Sequence, residues 1–177
     1  MLCKYLGLFL SLFLSTPLFA QKIEPTYGQV SYGVHKDMTL NFWQFESETP
    51  VPLLVHIHGG GWLGGKKQET ISPNELKRGY SFASIDYRLA GTELLPAAVH
   101  DAARAIQFLR TKAKKWNFDP ARIAVIGGSA GAASSLWLAY HDDMANPKSD
   151  DPVLRQSSRV CGAVAMGGQT TLDPFLL

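Results

Sequence analysis

Residues 127–131 read Gly-Gly-Ser-Ala-Gly and lie between the apolar run 123–126 and a helix-forming segment. A strand that turns at once into a helix leaves its turning residue in a strained backbone conformation. Such a turn is tolerated when the neighbouring residues have almost no side chain, as glycine and alanine do. The strain holds a hydroxyl out at the end of the strand, so the pattern predicts that Ser129 is an exposed nucleophile.

A second glycine-rich stretch, His-Gly-Gly-Gly-Trp at residues 58–62, follows another apolar run at 53–57. Three consecutive glycines let backbone N–H groups approach a substrate oxygen without interference from a Cβ atom, as an oxyanion hole requires. Both stretches follow predicted strands, and open parallel sheets bind ligands at the carboxyl ends of their strands. The two stretches are therefore expected to meet in one crevice, and they favour acyl transfer.

Strand and helix patterns alternate along the chain, which is typical of an α/β fold with a parallel sheet. Short β-rich segments at 27–33 and 39–45, separated by a polar turn, predict an antiparallel hairpin. Four apolar runs predict buried strands. These runs are 53–58, 80–87, 123–126 and 160–166.

The clearest helix follows Pro96, because proline is favoured in a first helical turn. Basic residues crowd 110–115 at its carboxyl end, where the helix dipole favours positive charge, so we interpret them as a helix terminus. An apolar stripe at helical spacing predicts that one face packs on the sheet. The stripe consists of Val99, Ala102, Ala103, Ile106, Leu109 and Ala113.

The chain resembles the α/β-hydrolase superfamily, in particular its bacterial esterase and lipase branch. That branch is related to hormone-sensitive lipase and has acetyl-xylan and feruloyl esterase relatives. The resemblance implies a mostly parallel sheet with helices on both faces, formed by residues 21–177 as one domain. It rests on four strings in the family's order: HGGGW at 58–62, DYRL at 86–89, PAAVHDAARAIQFL at 96–109 and GGSAGA at 127–132.

The resemblance also implies roles for individual residues. Ser129 is the nucleophile, and the backbone N–H groups of Gly60, Gly61 and Ala130 form the oxyanion hole. The implied reaction is hydrolysis of a carboxylic ester through an acyl-enzyme on Ser129, which needs no cofactor and no metal. The expected substrate is a small-molecule or carbohydrate-linked ester, and the sequence leaves its acyl and alcohol parts open.

The histidine of the expected triad is the main departure from the family pattern. In the superfamily the chain order is Ser, then Asp or Glu, then His, but the one histidine after Ser129 is His141. It lies on the order of 18 Å away along the predicted helix, at the helical rise per residue. The fold is therefore expected to be truncated after the strand that follows this helix. No acid is assigned among Asp142, Asp143, Asp150, Asp151 and Asp173.

Two functions remain open on this basis. The first is an exported serine esterase of which the chain is the amino-terminal part. The second is a catalytically inactive hydrolase-fold remnant that acts as a binding module. The intact glycine-rich segment and serine turn favour the first, because strained geometry persists only where its surroundings support it, whereas the missing histidine favours the second.

Other polar residues are interpreted as structural. His56 and His58 form a His-x-His pair that also occurs in metal sites, but a metal needs further ligands at later strand ends, and there the sequence offers Asp86. We interpret His56 as an interior histidine with its hydrogen bonds satisfied, and His58 resembles a structural residue of the family. Asp86 and Arg88 are expected to belong to a buried polar network.

The first twenty residues have the features of a secretory signal peptide: Lys4, an apolar core at 6–14 and a small residue, Ala20, before Gln21. The apolar core is shorter than the roughly 20 residues that a membrane span needs. We therefore expect residues 1–20 to be removed and the protein to be exported to the periplasm or the extracellular space, with no stable membrane span.

Charge and cysteine content exclude some classes of partner. The formal net charge is +2, and no long run of like charge is present, so nucleic acid is not expected as a partner. Of the two cysteines, Cys3 lies in the predicted signal, which leaves Cys161 without an intrachain partner. Its apolar neighbours predict a buried, inert thiol. The oligomeric state stays open.

Overall fold

The computed structural model describes residues 22–170. The predicted signal peptide and Asp173 lie outside these residues. Within them, no helix is long and apolar enough to cross a membrane. The elements in chain order are β1 (Tyr27–Ser31), β2 (Thr39–Trp43), β3 (Val51–Ile57), α1 (Pro73–Leu76), β4 (Ser81–Ile85), α2 (Ala97–Lys112), β5 (Phe118–Gly128), α3 (Ala130–Tyr140) and β6 (Gly162–Met166).

The six strands form one sheet in the order β1-β2-β4-β3-β5-β6. The β1 and β2 strands form the predicted antiparallel hairpin, and β2 also runs antiparallel to β4. The β3 strand is parallel to both β4 and β5, and β6 is parallel to β5. The prediction of a mostly parallel sheet is confirmed, and the carboxyl ends of β4, β3, β5 and β6 share one edge.

Hydrophobic packing covers the two faces of the sheet unequally. Leu53, Val55 and Ile57 of β3 contribute to a large core that also contains the buried faces of α2 and α3. Leu54 packs on the opposite face in a smaller cluster with Leu76 of α1. The apolar stripe predicted on α2 is buried throughout. Helices therefore lie on both faces, as expected, and α2 and α3 form the larger layer.

The structure corrects the predicted start of β5. That strand begins at Phe118, which pairs with Val51, and the register is irregular before Leu53 pairs with Ile123. The sequence predicts this strand only over the apolar run 123–126, because Pro120 is a common turn residue. An irregular ladder tolerates proline better than a regular one, so the strand extends across it.

The prediction that Cys161 is buried is wrong, because its thiol is exposed. The run 160–166 was expected to form a buried strand, but the side chains of Val164 and Met166 are also exposed. In the part of the chain that the structure describes, β6 is an edge strand that pairs with β5 alone. The apolar composition of this run indicated that its side chains are buried, but their exposure is determined by the position of β6 at the edge of the described sheet.

An ion pair between Arg88 and Asp101 links the segment after β4 to α2. The Asp101 carboxylate is almost fully buried and accepts hydrogen bonds from Arg88 Nε at 2.9 Å and Nη2 at 2.7 Å. The backbone N–H of Arg88 also donates to it at 3.0 Å. Arg88 thus belongs to a polar network as expected, but its partner is the buried Asp101 rather than Asp86, and the side chains of Arg88 and Asp86 are only partly buried.

We predict that Arg88→Met lowers the free energy of unfolding by about 3 kcal/mol, because it leaves a buried carboxylate without its counter-charge. The matched control is Arg122→Met, which removes an exposed pair with Asp119. That pair is expected to contribute less than about 1 kcal/mol. Urea denaturation of the three proteins checks both values, and equal losses in the two variants would contradict the prediction.

Candidate active site

Ser129 occupies the turn between β5 and α3 with φ 54° and ψ −122°. This left-handed backbone is strained for a residue with a Cβ atom, as the sequence pattern predicts. The Ser129 side chain is exposed, while its backbone N–H donates to the carbonyl oxygen of Met166 at 3.0 Å. The serine turn (residues 127–131) therefore presents its hydroxyl at the carboxyl edge of the sheet.

The serine turn packs directly on the end of β3. A Cβ atom on Gly131 would overlap the carbonyl oxygen of Ile57, and one on Gly127 would overlap the backbone of Gly131. Glycine at these positions is therefore required by close backbone approach. The contact fixes the first turn of α3 against the strand that leads into the second glycine-rich segment.

That segment, the glycine loop (residues 58–65), lies beside the serine turn. A Cβ atom on Gly59 would lie 2.8 Å from the carbonyl oxygen of Gly128 and 3.5 Å from Ser129 Cβ. Gly60 and Gly61 have φ values of 103° and 62°, which glycine adopts without strain. The structure thus brings the two predicted motifs together at one edge of the sheet.

Three backbone N–H groups at this edge have no hydrogen-bond partner among the described residues. No hydrogen bond formed within residues 22–170 uses the N–H of Gly60, Gly61 or Ala130. The Ala130 N–H belongs to the first turn of α3, where the helix dipole adds partial positive charge. These are the residues that the sequence assigned to an oxyanion hole, and none of the three donors is used by another group within residues 22–170.

A set of polar side chains next to the glycine loop contacts its residue His58 and the adjoining Lys67. The Asp86 carboxylate accepts hydrogen bonds from the backbone N–H of Lys67 at 2.6 Å and from its Nζ at 2.8 Å. His58 Nε2 lies 3.6 Å from the same carboxylate, and the His58 ring stacks on Tyr87. The Tyr87 hydroxyl donates to the carbonyl oxygen of His58 at 2.8 Å. This arrangement fits the structural interpretation of His58 and Asp86.

The partners Lys67 and Tyr87 were not identified from the sequence. Lys67 lies in a polar segment with another lysine beside it, where burial of one of them has no sequence signal. Tyr87 is part of the DYRL string, but that string carries no information about which carbonyl its hydroxyl contacts. These contacts depend on the three-dimensional path of the loop.

His56 lies on β3 and is half-buried, with Nδ1 3.0 Å from the hydroxyl of Ser84. Burial lowers the pKa of His56 below its ordinary value, and the neighbouring His58 lowers it further. Burial also lowers the pKa of His58, although the Gly59 carbonyl and Asp86 oppose that change. Both rings are therefore held in the neutral form at neutral pH.

These pKa shifts predict acid lability. A histidine whose pKa is lower in the folded protein binds a proton more readily when unfolded, so folding stability decreases as the pH falls. The stability is fully present above the ordinary histidine pKa of about 6.5 and is lost as the pH falls through the folded values. His56→Gln should weaken this pH dependence. Urea denaturation at several pH values between 7.5 and 5.5 checks it, and an unchanged dependence would contradict it.

No histidine among residues 22–170 is hydrogen-bonded to the Ser129 hydroxyl. His58 directs its two ring nitrogens to Gly59 and Asp86. His141 follows the last residue of α3 and stacks on Trp137, with ring centroids 4.0 Å apart. The expected separation of His141 from Ser129 along α3 therefore agrees with the structure.

Two of the acidic residues after α3, Asp143 and Asp151, are engaged elsewhere. Asp143 accepts hydrogen bonds from the backbone N–H of Ser158 at 2.9 Å and of Ala145 at 3.1 Å. Asp151 pairs with Arg104 on α2 at 2.8 Å. In the described part of the chain, no three His, Cys, Asp or Glu side chains are grouped as a metal site.

Comparison with known proteins gives a consistent set of similarities. A family model described as BD-FAE matches residues 42–173. The versiconal hemiacetal acetate esterase of Dothistroma septosporum is 27% identical over 175 residues, which cover 94% of this chain and 48% of that protein. The carboxylesterase NlhH of Mycobacterium tuberculosis is 35% identical over 105 residues, which cover 55% of this chain and 32% of that protein.

A solved structure shows the same relationship. The acetyl ester-xyloside bifunctional hydrolase from Caldicellulosiruptor lactoaceticus aligns with a TM-score of 0.62 at 30% sequence identity. The alignment covers 72% of this chain and 47% of that one. The chain thus spans about half the length, or less, of the relatives that it matches.

Proposed function

Because the chain belongs to the α/β-hydrolase superfamily, and within its esterase and lipase branch to the BD-FAE family, we propose that it is a serine carboxylic-ester hydrolase with Ser129 as nucleophile. One observation carries this proposal. The glycine loop and the serine turn touch at Gly59 and Gly128, beside an exposed, strained serine and N–H groups that donate to no group within residues 22–170. Acyl transfer needs this combination of nucleophile and oxyanion donors.

The proposed mechanism begins with attack of Ser129 Oγ on the carbonyl carbon of the ester. A histidine removes the hydroxyl proton, and the N–H groups of Gly60, Gly61 and Ala130 hold the resulting oxyanion. Collapse of the tetrahedral intermediate transfers the proton to the departing alcohol and leaves an acyl group on Ser129. Water, deprotonated by the same histidine, then releases the carboxylic acid and restores the serine.

We infer that the histidine and its acid partner come from sequence outside residues 22–170. His56 Nδ1 lies against Ser84, and the His58 ring nitrogens face Gly59 and Asp86. His141 is separated from Ser129 by the length of α3. The length of the relatives supports this inference, because the chain spans 48% of one and 32% of another. Residues 21–177 on their own are then an incomplete copy with little activity.

The proposed substrates are small-molecule or carbohydrate-linked esters. The printed names of relatives include an acetate esterase, a carboxylesterase and an acetyl ester-xyloside hydrolase. A carboxylic ester is the shared chemistry, and two of the three names specify an acetyl or acetate group. We also propose export to the periplasm or the extracellular space, because residues 1–20 have the features of a secretory signal.

A labelling experiment tests the proposal. A fluorophosphonate probe is added to residues 21–177 alone and to a form extended by the sequence encoded downstream. The extended form should label rapidly and the short form slowly, because a serine hydroxyl without its base is a poor nucleophile. Rapid labelling of the short form would contradict the inference about the histidine. If neither form labels, the assignment of Ser129 as an active nucleophile fails, and the alternative of a catalytically inactive hydrolase-fold remnant that acts as a binding module is favoured.

A further inference from the structure

Trp62 connects the two halves of the site, although no step of the proposed reaction uses it. Its indole is buried, and Nε1–H donates a hydrogen bond of 3.1 Å to the Ser134 hydroxyl on α3. The Ser134 hydroxyl in turn donates to the carbonyl oxygen of Ala130 at 2.9 Å. Two consecutive hydrogen bonds therefore run from the glycine loop to the first residue of α3.

The backbone of Trp62 has a strained conformation, so the contacts that hold this residue matter for the shape of the glycine loop. Trp62 has a φ of 57°, so a residue with a large side chain occupies the left-handed region. A strained residue persists only when its surroundings hold it there. Trp62 has a second anchor, because its carbonyl oxygen accepts a hydrogen bond of 2.6 Å from the N–H of Ala90. The conformation of the glycine loop thus depends on what Trp62 contacts.

Ser134 differs from its neighbour Ser135 in one informative way. Both hydroxyls are buried and donate to the carbonyl oxygen four residues earlier, which is a common arrangement for serine within helices. Ser134 also accepts the hydrogen bond from the Trp62 indole. In the described part of the chain, Ser135 accepts no hydrogen bond from any side chain. Ser134 therefore links α3 to the loop, whereas Ser135 bonds only within its own helix.

We propose that Trp62 and Ser134 are positioning residues, which set the Gly60 and Gly61 N–H groups at the correct distance from the Ala130 N–H. This inference rests on the proposed function. The three donors belong to two segments that are far apart in sequence, and oxyanion stabilisation depends on where each donor lies. A displacement of about 1 Å can lower a rate about 100-fold. Neither positioning residue is required to touch the substrate.

Two substitutions break the link with little loss of volume. Trp62→Phe keeps an aromatic ring and removes the N–H, and Ser134→Ala removes the hydroxyl. Two matched controls remove equivalent groups elsewhere. Trp43→Phe removes a buried indole N–H that donates to the Ile23 carbonyl at 2.9 Å. Ser135→Ala removes a buried helical hydroxyl from the next position on α3.

The first measurement is ¹⁵N relaxation of the Gly60, Gly61 and Ala130 amides in the full chain without ligand. Both test variants should lower the order parameters of the two loop amides, and both controls should leave them unchanged. The second measurement is hydrolysis of p-nitrophenyl acetate by the extended form, which carries the proposed triad histidine. We expect kcat to fall about 10-fold to 100-fold and KM to change less than about threefold, because the lost interaction is made in the transition state.

The double variant Trp62→Phe/Ser134→Ala should be no slower than the slower single variant, because both substitutions remove the same link. Unchanged loop amides in both single variants would overturn the proposal, and so would disordered amides with an unchanged kcat. Equal effects in the controls would also overturn it. If the extended parent form hydrolyses no ester, the proposed function fails, while the relaxation measurement still decides whether the link holds the loop.

Discussion

Replacing Ser129 by Ala is expected to remove nearly all ester hydrolysis from the form of the protein that carries the triad histidine. Loss of a serine nucleophile in related mechanisms lowers kcat on the order of 10⁶-fold, and the oxyanion hole and substrate binding account for the residual rate. The Ser129 side chain is exposed, and its backbone N–H bond to Met166 is retained in the variant. The fold should therefore change little.

The measurement is the initial rate of p-nitrophenyl acetate hydrolysis together with thermal unfolding of each variant. Ser31→Ala serves as the matched control, because Ser31 is exposed at the end of β1 and belongs to the hairpin edge of the sheet. It should keep the parental rate. Retention of a tenth or more of the parental turnover by the Ser129→Ala protein would refute the nucleophile assignment.

Gly131→Ala is expected to have the second-largest effect and to damage both stability and activity. Within a helix, alanine is ordinarily favoured over glycine by about 1 kcal/mol. Here the added Cβ atom would overlap the Ile57 carbonyl oxygen and lie 2.8 Å from that of His58. Because both contacts are backbone atoms, α3 and β3 must separate. We expect a net loss of about 3 kcal/mol in the free energy of unfolding.

The control for this substitution is Gly91→Ala, because no atom lies within 4 Å of a Cβ atom built at Gly91. That variant should stay within about 0.5 kcal/mol of the parent. Urea denaturation gives both values. A Gly131→Ala protein that is as stable as the parent would mean that helix propensity outweighs the steric overlap and that the serine turn is less tightly packed than described.

Much of the fold could be predicted from residue patterns. The hairpin, the parallel strands and α2 follow from local periodicity, because the spacing of apolar residues reflects which face is buried. The pattern failed at Cys161 and at the start of β5. Cys161 is exposed because β6 lies at the edge of the described sheet, which its apolar composition does not reveal. The start of β5 depends on the irregular pairing of Phe118 with Val51, a residue on a strand distant in sequence. Both failures concern tertiary position.

The features of the site also separate into those that the sequence predicts and those that depend on tertiary position. Ser129 and the glycines of the loop could be identified because their backbone conformations restrict the residue types allowed, so the constraint is visible in the sequence. The hydrogen bonds from Trp62 to Ser134 and from Lys67 to Asp86 could not be predicted. Many residue types are compatible with the backbone at Ser134, Lys67 and Asp86. Such contacts are defined only when the segments that carry them have come together.

The parallel pairing of β3 with β5 has a consequence for how the protein folds. This ladder pairs Leu53 with Ile123 and Ile57 with Gly127, so it joins residues that are far apart in the chain. Closing so long a loop costs entropy before the new contacts repay it, and non-local pairing of this kind slows folding. The β1 and β2 hairpin involves only local closure and can form early. The geometry of the serine turn and the glycine loop is therefore acquired late, when the centre of the sheet is complete.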